Sequence, residues 1–337
     1  VVFAVAMLVV GALFYGLIRD LTAGWTGTGF NPFRPVARAT EVAGGGPVEP
    51  TPTVFLPEVT PIPWDGSTRV TILLLGLDYR DWEAGLGAPR SDSMILLSVD
   101  PLTKQVSMLS IPRDLWVEIP GFTHNRINTA YASGEGNRLP GGGPALAMRA
   151  AEALVGVPIQ YYAVIDFSTF ERMIDEIGGI DVLVMERIKI APIGRLAQWL
   201  DPKAYHLDGA QALAYARVRK ATGGDFGRAE RQQQVAMAIL DRVTGFDMIP
   251  TLVAKAPTLY QELSTGVRTN MTLNEMIALA WMARDISSES IHRGVIAPPS
   301  MVGFYTRPDG AQVLRAVPDQ IRLLRDQLFV DTSAIAP

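Results

Sequence analysis

The chain has 337 residues, 48% of them hydrophobic, with a net charge of −4, three histidines and no cysteine. That length suits one large domain or two small ones. The missing thiols exclude disulfides, thiol catalysis and cysteine-ligated metal, and the acidic balance speaks against nucleic acid as the main partner, because such affinity is driven by neutralising phosphates.

The chain opens on a continuous apolar run, Val1 to Ile18, closed by Arg19-Asp20. Eighteen helical residues rise about 27 Å at 1.5 Å each, close to the ~30 Å hydrocarbon core of a bilayer. Ala23-Gly24-Trp25 is a poor signal-peptidase site, so residues 1–20 read as a transmembrane anchor rather than a cleaved leader. With no Met at the start, the apolar segment is expected to begin upstream, and the flanking charges that would set its orientation are not in the chain. Residues 21–66 read as a linker: between Asn31 and Pro63 lie eight prolines and Gly44-Gly45-Gly46, with no helical or strand periodicity.

Val70 to Leu75 is the short, nearly unbroken apolar run of a strand buried on both faces, and it delivers Gly76-Leu77-Asp78 at its end. Met94 to Val99 and Gln105 to Ile111, joined through Asp100-Pro101-Leu102-Thr103, form a hairpin signature. Gly143 to Val155 has helical spacing, and Gly141-Gly142-Gly143-Pro144 before it reads as a loop-to-helix entry rather than an anion cradle. Gln160 to Ile165 is predicted as a strand, Phe167 to Ile177 as a helix stopped by Gly178-Gly179, and Ile180 to Met185 as a further strand. Leu207-Asp208-Gly209 opens an Ala-rich helix running toward Arg217. The last ninety residues read as helical and then irregular, with a closing helix over Ile321 to Leu328. This alternation predicts an α/β domain whose mixed sheet is covered by helices on both faces. With no second linker, one domain is expected over 67–330, followed by a tail at 331–337.

His124, His206 and His292 have none of the spacing of a zinc site, and the phosphate-binding and nucleophile-elbow motifs of common enzymes are missing. What stands out is cationic. Arg217, Arg219, Arg228 and Arg231 fall within fifteen residues around Gly223-Gly224, and Arg90-Ser91-Asp92 and Arg113-Asp114 lie upstream. Guanidinium groups fork onto phosphate oxygens, so such a cluster in an acidic chain reads as a polyphosphate cradle. If Arg217 and Arg219 are extended they share a face; if the helix continues through them they diverge. Arg228, Arg231 and Gln232 share a face of the next helix, which Asp225 is placed to cap. Asp78 and Asp92, at neighbouring strand ends, either share a hard divalent cation or pair with Arg80 or Arg90.

Six segments carry a family resemblance: Gly76-Leu77-Asp78, Arg90-Ser91-Asp92-Ser93-Met94, Ile111-Pro112-Arg113-Asp114, Arg126-Ile127-Asn128-Thr129-Ala130-Tyr131, Leu207 to Arg219, and Asp225 to Gln233. In this order, after an N-terminal anchor, they resemble the motifs of the LytR-CpsA-Psr family over roughly Arg69 to Leu240. The resemblance implies an extracytoplasmic α/β/α sandwich with an apolar channel for a lipid tail. It implies a Mg²⁺-dependent (or Mn²⁺-dependent) transferase that moves a glycopolymer from a polyprenyl-pyrophosphate carrier to peptidoglycan through a phosphodiester. Carried over residue by residue, it makes Asp78 and Asp92 metal ligands. Arg90, Arg113, Arg217, Arg219, Arg228 and Gln232 become pyrophosphate contacts, with Arg113, Arg217 and Arg219 catalytic and Asp225 and Asp114 supporting. Two departures are Arg126, where a lysine is usual, and the glycine-containing insert Asp81 to Ala88. Asp114 and Asp78 are both candidate bases. The competing readings are a polyprenyl-pyrophosphate hydrolase, in which water replaces the acceptor, and a non-catalytic lipid-carrier sensor or regulator.

Overall fold

The computed structural model describes residues 68–77, 88–245, 266–272, 275, 278, 279, 282, 286 and 288–329. The anchor expected over 1–20, the linker over 21–66, Asp78 with most of the insert that follows it, and the tail at 331–337 lie outside the described residues.

The apolar run after residue 69 forms β1 (Val70–Leu77), which pairs antiparallel with β2 (Ser91–Asp100); β2 turns into β3 (Gln105–Ser110) as the hairpin signature predicts. The chain continues through β4 (Leu115–Glu118), β5 (His124–Arg126), α1 (Thr129–Gly136) and α2 (Gly142–Val155) to β6 (Tyr161–Asp166), which runs parallel to β1. Next come α3 (Phe167–Glu176), β7 (Ile180–Leu183), β8 (Ile188–Ile190), β9 (Gln198–Leu200) and β10 (Ala204–Leu207). Two helices follow, α4 (Gly209–Arg217) and α5 (Gly224–Gly245). Beyond them are β11 (Val267–Thr269), β12 (Ile291–Val295), β13 (Val302–Thr306), β14 (Gln312–Ala316) and α6 (Pro318–Phe329).

The main sheet has the order β11-β6-β1-β2-β3-β12 and mixes parallel with antiparallel pairs. Because strand side chains alternate, β1 feeds two cores. Val70, Ile72 and Leu74 pack with Phe170, Met173, Leu213, Val235 and Ile239 from α3, α4 and α5. Leu73, Leu75 and Leu77 pack with Leu146, Ala150, Val155, Ile321 and Phe329 from α2 and α6. Helices therefore cover both faces.

The C-terminal expectation is corrected here. The described part of the last ninety residues, expected to turn irregular, holds four strands before the closing helix, and two of them, β11 and β12, are the edges of the main sheet. β13 and β14 build a second sheet with β4 and β5, in the order β13-β14-β4-β5. These strands are three to five residues long and mostly polar on their outer faces, so they show neither a sustained apolar run nor a helical period. The strand expected over Ile180 to Met185 is shorter, ending at Leu183.

Local signals explain the joints. Gly141 and Gly142 have φ of 74° and 63°, and the next amide, Gly143 N–H, donates to Glu135 Oε1 at 3.0 Å. The loop-to-helix entry is thus closed by the chain's own carboxylate. Asp208 caps α4 through a reciprocal box: its carboxylate accepts from Gln211 N–H while its own N–H donates to the Gln211 side chain. At the first position of α4 stands Gly209, where a Cβ would sit 2.0 Å from the Glu171 carbonyl oxygen of α3.

That contact sets a stability test. Gly209→Ala forces the new Cβ against the backbone of α3 and should destabilise the fold by about 1–3 kcal/mol or more. Gly136→Ala, at the end of α1 with nothing within 4 Å, should be neutral or slightly stabilising. Thermal melts of the two variants check this; an unshifted Gly209→Ala midpoint would contradict the packing.

Candidate active site

The site is built around a bulge. Gly76 pairs with Ser93 and Leu77 with Ser91, so Asp92 is the extra residue that the β1–β2 ladder leaves over. A bulge re-aims a side chain away from the strand's alternation. The approach at this point is close, since a Cβ on Gly76 would lie 3.1 Å from Ser93 Cβ.

Three other segments reach that carboxylate, and a fourth reaches the Asp92 backbone carbonyl. Past the end of β3, Arg113 donates from Nη1 to Asp92 Oδ2 at 2.5 Å. Its remaining nitrogens face Asp114 at 3.4 Å and Asp225 at 4.0 Å. Asn128, at the entry of α1, donates from Nδ2 to Asp92 Oδ1 at 3.2 Å. Helix α4 stops at Arg217, and Val218 is extended, which separates Arg217 from Arg219. Arg219 Nη2 reaches Asp92 Oδ2 at 3.0 Å, and its Nε faces Asp225 Oδ1 at 3.7 Å. From α5, Arg228 donates to the Asp92 backbone carbonyl at 3.3 Å and pairs with Asp225 at 3.3 Å. One turn on, Gln232 donates to Ser93 Oγ at 2.8 Å.

Asp92 is therefore clamped by Arg113 and Arg219, not by Arg90, which is exposed and reaches the same cleft. Asp225 sits inside the first turn of α5 with its carboxylate toward three arginines. Arg231 does not join the cluster: it donates to the Val218 carbonyl at 2.7 Å and so holds the loop that carries Arg219. Arg217 stacks its guanidinium 4.4 Å from the Phe167 ring centroid, to one side of the others.

The electrostatics follow from crowding. For Arg113, burial works against the charge, but Asp92, then Asp114 and Asp225, outweigh it and hold the pKa above the ordinary arginine value. For Arg228, burial prevails; the nearby Arg113 and Arg219 add to it, Asp225 opposes it, and the pKa falls below ordinary. Arg228 Nε is also buried with no hydrogen-bond partner among the described residues. A group of fixed cations with unspent donors is prepared for an anion with several oxygens.

Four spaces open around the cluster. A cleft of about 550 Å³ is lined by Arg90, Asp92, Arg113, Asp114, Arg126, Asn128 and Gln312. One of about 310 Å³ runs from Asp92 past Asp225 to Phe226 and Phe304. A third, about 400 Å³, holds Arg217, Arg219, Lys220, Arg228 and Gln232. Beneath Arg217 and Gln232, an apolar slot of about 110 Å³ enters between the sheet and helices α3, α4 and α5, lined by Leu74, Ile95, Ile165, Phe170, Leu213 and Val235.

Ser93, Asn128, Gln312 and Phe304 were not among the expected site residues. An Asn just before a helix reads as a cap, but the Asn128 side chain makes no cap bond and turns to Asp92 instead. Phe304 and Gln312 come from β13 and β14 respectively, which have no sequence signal, and reach the site because β14 pairs parallel with β4. Among the described residues no group of three or more His, Asp and Glu side chains gathers as a metal site, and Asp78 lies outside them.

The LytR_cpsA_psr family matches residues 49–315. The polyisoprenyl-teichoic acid–peptidoglycan teichoic acid transferase TagV of Bacillus subtilis is 34% identical over 229 residues, 66% of this chain and 54% of that protein. Its counterpart TagU of Oceanobacillus iheyensis is 36% identical over 211 residues, 62% of this chain and 61% of that protein. The regulatory protein MsrR of Staphylococcus aureus is 34% identical over 213 residues, 63% of this chain and 58% of that protein. The matched stretch thus spans less than two thirds of the length of these relatives. The crystal structure of B. subtilis TagV superposes with a TM-score of 0.63 at 30% identity, covering 79% of this chain and 99% of that one.

The charge balance of the cluster is open to measurement. Asp225→Asn removes one counter-charge from three arginines; with its side chain 40% exposed, the loss should be held to about 1 kcal/mol, a drop of about 2–4 °C in melting temperature. Inorganic pyrophosphate should raise the midpoint of the parent protein, and raise that of Asp225→Asn by more. No pyrophosphate-dependent shift in either protein would show that the cluster does not bind phosphates.

Proposed function

This chain belongs to the LytR-CpsA-Psr family, and we propose that it is a membrane-anchored transferase that moves a glycopolymer from a polyprenyl-pyrophosphate carrier to peptidoglycan, outside the cytoplasm. The observation that carries the reading is the convergence of Arg113, Arg219 and Arg228 on the bulged Asp92, where an apolar slot meets three clefts that each hold charged side chains. A lipid pyrophosphate needs both environments within one molecule's length. The transferase names of TagV and TagU support the same activity.

In this reading the donor lies with its pyrophosphate on the arginines and the start of its tail at the slot beneath Arg217. An acceptor hydroxyl attacks the phosphorus that carries the glycan. The new P–O bond forms as the bond to the bridging oxygen breaks, and polyprenyl monophosphate departs with the electron pair. Arg113 and Arg219 face the charge that grows on the departing phosphate, and donors placed in advance are worth most at such a point. The hydroxyl proton passes to a carboxylate. Asp114, held by Arg113 and Arg126 and lining two of the clefts, is the candidate base among the described residues.

Asp92 offers hard oxygen donors, which fits Mg²⁺ or Mn²⁺, an ion that takes one or two protein carboxylates and fills its shell with phosphate oxygens and water. Asp92, with Asp78 as its partner, would hold it. When bound, it would neutralise charge on the pyrophosphate oxygens. Asp92→Ala should therefore remove nearly all turnover and any response to divalent cations and, because it strips Arg113 and Arg219 of their shared carboxylate, lower the melting temperature by more than Asp225→Asn does. Retained activity with unchanged metal dependence would sink that assignment.

The arginines should separate by role. Arg113→Ala and Arg219→Ala should lower kcat by about 10²–10³. Arg217→Ala, at the slot mouth, should raise the donor KM more than it lowers kcat. Lysine at 113 keeps the charge but loses the fork, so Arg113→Lys should remain impaired. Assays with a lipid-linked glycan donor and peptidoglycan acceptor measure this, and near-normal transfer by all three alanine variants would refute the site. Release of free glycan phosphate with no peptidoglycan adduct would identify a hydrolase, and donor binding without turnover a carrier sensor.

A further inference from the structure

The hairpin of β8 and β9 is outside the chemistry described so far. Its inner side chains, Ile188, Ile190 and Leu200, are buried. Its outer face and tip are apolar and open: Leu196 is 93% exposed, Trp199 54% and Ile193 39%. Single exposed hydrophobic residues need no explanation, but three on one short hairpin do. They are framed by cations. Lys189 pairs across the ladder with Trp199, its Nζ 6.0 Å from the indole centroid, and the Arg187 guanidinium lies 4.9 Å from the same ring. Between Met185 and Tyr205 the chain holds Arg187, Lys189, Arg195 and Lys203 against Glu186 and Asp201, in a protein whose net charge is −4.

We propose that this hairpin is a membrane-contact element, seating Ile193, Leu196 and Trp199 in the interface of an anionic bilayer. Trp prefers the headgroup level, Leu and Ile the acyl boundary just below it, and Lys and Arg the anionic headgroups. The base of the hairpin adds the location. Lys189 and Ala191 line the same cleft as Arg217, Arg219 and Lys220. A bilayer touching the tip therefore lies beside the cleft and the slot mouth. A lipid-linked donor would pass from one to the other without its tail crossing open water. This part rests on the transferase reading; the membrane contact rests on the hairpin alone.

The chain contains no cysteine, so a single introduced thiol can be labelled without background. Leu196→Cys and, as a reference, Leu102→Cys in the β2–β3 turn, itself 81% exposed, would each carry a nitroxide. The full chain would be reconstituted in vesicles of phosphatidylglycerol and phosphatidylethanolamine. Relative to a water-soluble nickel chelate, oxygen should reach position 196 several-fold more effectively than position 102. Phosphatidylcholine vesicles, or Arg187→Glu with Lys189→Glu, should bring position 196 toward the reference. Equal aqueous exposure at both positions would overturn the proposal, whether the tip is simply solvated or meets a glycan or protein. Transfer assayed on the same vesicles reports separately: activity with an aqueous tip refutes the contact alone, and an immersed tip without activity refutes the transferase reading alone.

Discussion

The interaction on which the rest of the structure depends is the collection of three guanidinium groups around one bulged carboxylate. Two like charges 4 Å apart repel by about 4 kcal/mol at an effective dielectric of 20, so Arg113, Arg219 and Arg228 would not gather unaided. Asp92, Asp225 and Asp114 answer that repulsion, each shared among more than one arginine or between an arginine and Arg126. The balance is incomplete, since burial still pushes the Arg228 pKa down and one of its N–H groups has no partner among the described residues. A polyanion would complete it. The cost of assembling the charges is thus met in the folding of the chain, before any ligand arrives, as a set of donors placed in advance requires.

Much of the scaffold can be understood as the means of holding those charges still. Asp92 takes its direction from the bulge in β2, and Arg113 from the turn after β3, where Ile111 N–H donates to the Met94 carbonyl at 2.9 Å. Arg231, so close in sequence to Arg228, is spent on the Val218 carbonyl, which fixes the loop between α4 and α5. Gln233 ties α5 to β3 and β12, donating to Ser110 Oγ and to the Gly294 carbonyl, both at 2.8 Å. The same packing leaves a slot under the cluster. The core built by Leu74, Ile95, Phe170 and Val235 does not close completely between sheet and helices, and the gap opens toward Arg217 and Gln232.

Much of this was legible in the sequence wherever a physical signal was both local and strong. The nearly unbroken apolar run of β1 announced a strand covered on both faces, and Leu207-Asp208-Gly209 announced the start of α4. The arginines stood out in an acidic chain, and Arg113, Arg219 and Arg228 do come together. Three features were not legible. Whether Arg217 and Arg219 share a face depends on where α4 stops, and the sequence left that open; the helix ends between them, and the two side chains take different tasks. The bulge at Asp92 belongs to the register of two strands, which no single segment encodes. The strands β11 to β14 are only three to five residues long, too short to show a period, so Phe304 and Gln312 had no marker at all.

The parallel pairing of β14 with β4 also leaves one wall of the cleft to the end of the chain. Leu314 and Arg315 meet Leu115 and Trp116 across two hundred residues, and Arg126 Nη2 donates to the Gln312 carbonyl at 2.8 Å. Every arginine of the cluster has been synthesised long before this strand exists. A growing chain therefore carries its full set of cations while one wall of the cleft is still unmade, and β12, which borders β3 in the main sheet, arrives nearly as late. In such a chain the cations are present, but the walls that give the cleft its shape come last.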